Sequence, residues 1–279
     1  MNYLELLVLF TILISPASAR SIPVHTLTPR YNISGLNIAA EADGKEWFGT
    51  ATNISGIEQQ DPYYVEQLLN WKDFGQATPA NRMKFAFTEQ RQGVFNLSEA
   101  EIFMSAVNPP GMPQKKIRCH PLVWHQTLPN WLTSPTTPWT NATLTAVLVK
   151  HVKELVSYFG DRCTHWDVVN EAFSESNTTD PAFPYRSINN IWYQIIGPEY
   201  ISIAFNADSE ERIECKAMLQ RLRHRISWPK EQRLVQTLQA RNIQINGVGF
   251  ESHFLAGGTP NQTRQEQAMI SESILPLRN

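Results

Sequence analysis

Trp166-Asp167-Val168-Val169-Asn170-Glu171 is an apolar, strand-like run that ends in an amide and a carboxyl group. In a parallel α/β sheet Glu171 would leave from the carboxyl edge of its strand, where barrels of that kind place their active sites. A half-buried carboxyl group there can give or take a proton, because burial raises its pKa toward the working pH. The plainer alternative is a solvated loop glutamate, and spacing alone does not separate the two.

Three further constellations bear on the same edge. In Arg118 to His125, residues His120, Leu122 and Trp124 share parity, so on a strand they point to one side. Trp124 and His125 at its carboxyl end suit a pyranose ring, whose apolar face stacks on aromatics while its rim hydrogen-bonds. Gly247 to His253 sets Gly249, Glu251 and His253 at one parity near the end of another strand. Asn81 and Lys84 enter a further strand; alone they read as a turn residue and a surface charge.

These groups need a scaffold of alternating strands and helices. Trp47–Thr52, Arg82–Phe87, Ile117–Trp124, Thr164–Asn170 and Gln244–Phe250 read as strands. Between them the apolar spacing predicts helices over Pro62–Phe74, Ser98–Val107, Asn141–Phe159, Ile188–Phe205 and Lys230–Arg241. Ser98 with Glu101 has capping-box spacing, and Gly160 stops the long helix. Repeated strand-helix units in one domain point to an α/β fold, an incomplete (β/α)8 barrel with about five readable strands and none expected for the seventh and eighth staves. Asp208 to Arg225 breaks the rhythm: its dense charges read as helix or solvated chain, and no strand is expected there.

The first 19 residues do not belong to that domain. Leu4 to Ile14 is apolar but too short to span a bilayer, and Ala17-Ser18-Ala19 has the small-residue pattern of a leader-cleavage site. Residues 20–279 are therefore expected to be a single exported domain. Six Asn-x-Ser/Thr sequons (Asn32, Asn53, Asn96, Asn141, Asn177 and Asn261) agree with a secreted glycoprotein. A net charge of −2 with no basic face argues against nucleic acid as a partner. Cys119, Cys163 and Cys215 have no metal-ligand spacing, and buried free thiols are the expectation over a single bridge.

Together these motifs resemble the family 10 glycoside hydrolases, the endo-β-1,4-xylanases, from about Gly35 to Phe254. The block around Met83-Lys84 and Thr88-Glu89 and the His120–His125 block with Trp131 match in order. Trp166–Glu171 matches the family's acid/base motif without departure. The resemblance implies a secreted, monomeric hydrolase of xylan or xylo-oligosaccharides, with no metal or other cofactor and no membrane partner. It implies Glu171 as general acid/base and Asn170 at the sugar 2-hydroxyl. It places Asn81, Lys84, His120 and Trp124 in the glycone wall and has His253 orienting the nucleophile.

The departures are as informative. Ala80 stands where the family has Glu, Thr127 where it has Gln, and Glu251 where it has Gln. The fifth-strand block is not recognisable. No Thr-Glu-Leu/Val-Asp block, which carries the family's nucleophile, occurs between 254 and 279. A retaining glycosidase needs two carboxyl groups roughly 5–5.5 Å apart, and only Glu251 in a matched motif could share a cavity with Glu171. Three expectations follow: a family member whose complete form is an active xylanase, this chain being a truncated or wrongly assembled version of it; a secreted non-catalytic xylan-binding protein; or a weak hydrolase using Glu251 or solvent.

Overall fold

In the computed structural model six short strands lie side by side in chain order, every neighbouring pair parallel. The structure describes residues 35–54, 56–174, 184–211, 215–221 and 229–251. The expected leader, His253 and the sequons at Asn32, Asn177 and Asn261 lie outside them. The strands are β1 (Gly49–Thr52), β2 (Gln76–Pro79), β3 (Lys116–Cys119), β4 (His165–Asn170), β5 (Lys216–Arg221) and β6 (Gly247–Phe250). Sequential parallel order is the winding of a (β/α)8 barrel, and these are six consecutive staves of one.

Around them run α1 (Leu36–Ala42), α2 (Pro62–Leu69), α3 (Phe85–Thr88), α4 (Ser98–Val107) and α5 (Asn130–Thr133). They are followed by α6 (Asn141–Phe159), α7 (Ile191–Ile196), α8 (Glu199–Glu211) and α9 (Pro229–Ala240). Among the described residues no helix is long and apolar enough to cross a membrane. α6 is the main outer buttress and packs on α7 and α8. It stops at Gly160, as expected, and starts at a capping box between Thr140 and Thr143 to which the sequence motifs did not point. Leu144, Leu148, Val152 and Leu155 recur at helical spacing and are fully buried; each such side chain contributes roughly 1.5–3 kcal/mol.

β5 overturns the expectation for 208–225. The apolar run is only Ala217-Met218-Leu219, all buried, with charged residues before and after it. Lys216 extends from the strand's start to Glu46, Nζ to Oε1 2.8 Å. Gln220 turns into the barrel, where Arg118 Nη2 donates to its Oε1 at 2.6 Å. Charges at the ends of a six-residue strand imitate a solvated segment, although its middle is core.

Other boundaries also moved. Arg82–Phe87 is not a strand: the second stave is Gln76–Pro79, and Phe85–Thr88 is a short helix. Met83 and Phe85 are buried because this turn folds inward; the Phe85 ring stacks on His151 with centroids 3.5 Å apart. α2 ends at Leu69, and Gly197-Pro198 divides the long helix expected over 188–205 into α7 and α8. Ser98 does not cap α4. Its N–H and Oγ donate to Asn96 Oδ1, and Glu101 accepts from Arg162 instead. Cys119 and Cys163, expected as buried thiols, instead form a disulfide between the end of β3 and the approach to β4, while Cys215 is buried outside that bridge. The bridge closes a separation of 44 residues, a loop length for which cross-links typically stabilise by about 2–4 kcal/mol.

Candidate active site

The floor of the site is a buried polar cluster inside the barrel. Asp167 of β4 accepts from Arg118 Nε and Nη2 and, through Oδ2, from His120 Nδ1 at 2.8 Å. Burial would push the Asp167 carboxyl up, but the Arg118 guanidinium and the His120 hydrogen bond hold it at about 2. It is therefore a carboxylate and acceptor, so the His120 proton sits on Nδ1. Gly249 of β6 faces this cluster, and a Cβ there would collide with Gln220 Oε1.

One irregularity lifts the site above that floor. The register of β4 on β5 shifts between Asp167 and Val169, a β-bulge. Side chains alternate along a strand, so Asp167 and Asn170, three apart, would otherwise face opposite sides. The bulge lets both face the interior, a re-aiming for which such insertions are used near active sites. With the amide oriented to satisfy both neighbours, Asn170 Nδ2 donates to Glu251 Oε1 at 3.1 Å and Oδ1 accepts from Trp124 Nε1 at 3.3 Å.

Glu171 follows with φ +54°, a left-handed conformation that costs a non-glycine residue about 1–2 kcal/mol. Its N–H donates to Gln220 O at 2.9 Å, and its carbonyl accepts from Arg186 Nε at 3.3 Å. The side chain is 6% exposed, with Oε2 3.9 Å from both His125 Nε2 and Arg186 Nη2. Burial, with Arg186 adding to it, lowers His125 to about 4, so above that pH the imidazole beside Glu171 is neutral.

Lys84 completes the wall. Its Nζ lies 4.8 Å from the centroid of the Trp124 ring and donates to Asn81 Oδ1 at 2.9 Å. Burial lowers the Lys84 pKa, while the charges of Glu171 and Glu251 raise it. Replacing Glu251 by Gln removes one of the two opposing charges, so the ammonium should lose its proton at lower pH than in the parent. Amine labelling of Lys84 across a pH series checks this. A midpoint that stays put or moves up would separate Glu251 from Lys84 electrostatically.

Seven of the expected site residues (Asn81, Lys84, His120, Trp124, Asn170, Glu171 and Glu251) thus meet at the carboxyl ends of the strands. Shared parity of His120, Leu122 and Trp124 does not hold. β3 ends at Cys119, Leu122 is buried in the hydrophobic core, and Trp124 is reached by a segment that follows β4 through Val123. The motifs did not point to Arg186, Asn53 or Gln220. Arg186 stands on a polar loop 15 residues after Glu171 with no pattern around it, and Asn53 reads only as a sequon. No cluster of His, Cys, Asp or Glu able to hold a metal ion occurs among the described residues.

The six-stave parallel barrel wall thus carries a buried carboxyl group at the end of β4, with a Trp, a Lys and an amide beside it. The chain belongs to glycosyl hydrolase family 10, whose family model matches residues 35–276. It is 37% identical over 243 residues to endo-1,4-beta-xylanase D of Talaromyces funiculosus, covering 86% of this chain and 56% of that protein. It is 33% identical over 237 residues to endo-1,4-beta-xylanase A of Humicola insolens, covering 81% of this chain and 59% of that protein. The chain thus spans less than two thirds of the length of these relatives. Among solved structures, the family 10 xylanase of Bispora sp. MEY-1 with xylobiose is 48% identical, with a TM-score of 0.79 over 86% of this chain and 72% of that one.

Proposed function

We propose that the protein performs endo-hydrolysis of β-1,4-xylosidic linkages in xylan by a retaining double displacement, with Glu171 as general acid/base. The observation that carries this is the placement of Glu171: nearly buried, at the carboxyl end of β4, beside a neutral His125 and next to the Asn170–Trp124 pair. A carboxyl group held at that place is within reach of a leaving sugar oxygen and can pass it a proton as the bond breaks. The amide of Asn170 suits the sugar 2-hydroxyl, and Trp124 with Lys84 and Asn81 offers a stacking face and hydrogen-bond donors to the glycone. His253 is the proposed orienting residue for the nucleophile. The same reading takes residues 1–19 as a leader and 20–279 as one extracellular, glycosylated, monomeric domain. It needs no cofactor, nucleic acid or membrane.

The nucleophile is a separate matter. No Thr-Glu-Leu/Val-Asp block occurs in residues 254–279, and Glu251, the second carboxylate at the site, hydrogen-bonds Asn170. This favours a second reading for the polypeptide 1–279 taken alone, a xylan-binding protein with impaired turnover. Purified chain should release reducing ends from xylan far more slowly than the 1–1,000 per second usual for enzymes, yet be retarded in native gels containing xylan. Turnover within that ordinary range would show that Glu251 or solvent suffices as the second group. Neither turnover nor retardation would remove xylan from the reading altogether.

A further inference from the structure

Asn53 enters the sequence only as the head of the sequon Asn53-Ile54-Ser55. In the structure it stands one residue beyond β1, directly after Thr52, and its side chain is half-buried at the same strand end as the sugar-facing wall. Asn53 Oδ1 accepts from Asn81 Nδ2 at 3.0 Å. Asn81 Oδ1 in turn accepts from Lys84 Nζ at 2.9 Å, and that ammonium lies over the Trp124 ring. An amide has one donor end and one acceptor end, so the first bond dictates the second. With its nitrogen committed to Asn53, Asn81 must turn its oxygen toward Lys84; the flipped amide would set an N–H against the ammonium.

The neighbouring residues hold Asn53 in place. Ile54 is 1% exposed in the hydrophobic core, and Thr52 Oγ1 hydrogen-bonds Tyr64 Oη at 2.6 Å. The acceptor offered to Asn81 is therefore fixed on both sides by packed residues rather than carried on a free loop.

We propose that Asn53 is a positioning residue of the active site, acting through the Asn81 amide to hold the Lys84 ammonium over Trp124. The proposal rests on the reading of Asn81, Lys84 and Trp124 as a glycone wall, but the orientation of Lys84 can be measured with no sugar present. The chain is made in a host that does not N-glycosylate, so that no glycan on Asn53 confuses the result. Each lysine's rate of acylation by a limiting amine reagent is then read by peptide mass spectrometry. In Asn53→Ala, Lys84 should react roughly 3- to 10-fold faster, the scale of one net hydrogen bond, while Lys72, Lys115 and Lys150 keep their rates.

Asn53→Asp keeps an oxygen for Asn81 to donate to and should return Lys84 to the parent rate or below it. Should Asn53→Ala lose its cooperative unfolding and expose all lysines together, Asn53→Leu fills the volume without the acceptor and takes its place. A folded Ala or Leu variant with Lys84 at the parent rate would overturn the proposal, as would an Asp variant that reacts as fast as Ala. If the Lys84 pattern appears but xylobiose binding is the same in parent and Asn53→Ala, Asn53 still positions Lys84. The reading of Lys84 as a sugar-wall residue is then what fails.

Discussion

Replacing Asp167 by Ala should lower the stability of the domain by about 3–5 kcal/mol, the range for removing one partner of a buried ion pair. Asp167 and Arg118 are both essentially unexposed, and Arg118 reaches Asp167 Oδ1 at 2.6 Å. Removing the carboxylate leaves a guanidinium inside the barrel with Gln220 Oε1 as a remaining acceptor. It also strips His120 of the acceptor that orients it. The loss should appear as a lower urea midpoint with an unchanged slope. A change in midpoint corresponding to less than about 1 kcal/mol, the scale of an exposed pair, would mean that water reaches the cluster and the floor is not a dry core.

The same residue dictates a pH dependence. Its folded pKa, about 2, lies below the ordinary aspartate value of roughly 3.9. A depressed folded pKa gives stability that is fully present above the unfolded value and is lost as pH falls toward the folded one. Between about pH 4 and pH 2 the parent should therefore lose stability with a contribution that Asp167→Ala lacks. The difference between the two proteins should shrink across that window.

How legible the molecule was in its sequence depended on where each strand carried its apolar residues. Thr164–Asn170 was readable because Val168 and Val169 sit in its middle, and α6 because four apolar positions recur on one face. β2 left little trace, since Gln76-Ala77-Thr78-Pro79 holds no large apolar side chain and buries polar groups that pair inside the barrel. Gln76 Nε2, for example, donates to Thr78 Oγ1 at 2.7 Å. β5 was hidden by the charges at its ends. Polar barrel interiors defeat hydrophobic patterning because the residues facing inward are satisfied by one another rather than by lipid-like neighbours.

The site was easier to read than its scaffold, for a physical reason. Its most legible residues are chemically unusual for strand ends: an Asn-Glu pair and a Trp beside a His, whereas Asn81 and Lys84 read alone as a turn residue and a surface charge. What sequence could not show was support. The bulge that turns Asn170 inward, the left-handed Glu171 tied to Gln220, and Arg186 arriving from a later loop exist only once β4 and β5 are paired.

The sharpest expected result concerns Glu171 itself. In a chimaera joining residues 35–251 to the remaining barrel strands of the Bispora xylanase, Glu171→Ala should cut turnover of unactivated xylan by 10²-fold or more. General acid catalysis contributes roughly 10²–10⁴-fold, and the xylose leaving group needs a proton as its bond breaks. An aryl xyloside with a good leaving group needs little such help in the first step, so its glycosylation should be nearly unimpaired. The second step, attack by water, still lacks its base, and the glycosyl-enzyme should accumulate as a burst. Azide is small, anionic and needs no deprotonation. It can enter the space that the carboxylate leaves between His125 and Arg186 and should restore turnover of the aryl xyloside, with xylosyl azide as product. Equal losses on both substrates and no response to azide would reduce Glu171 to a structural or binding group. The role of the carboxyl group at the end of β4 would then have to be sought in Glu251.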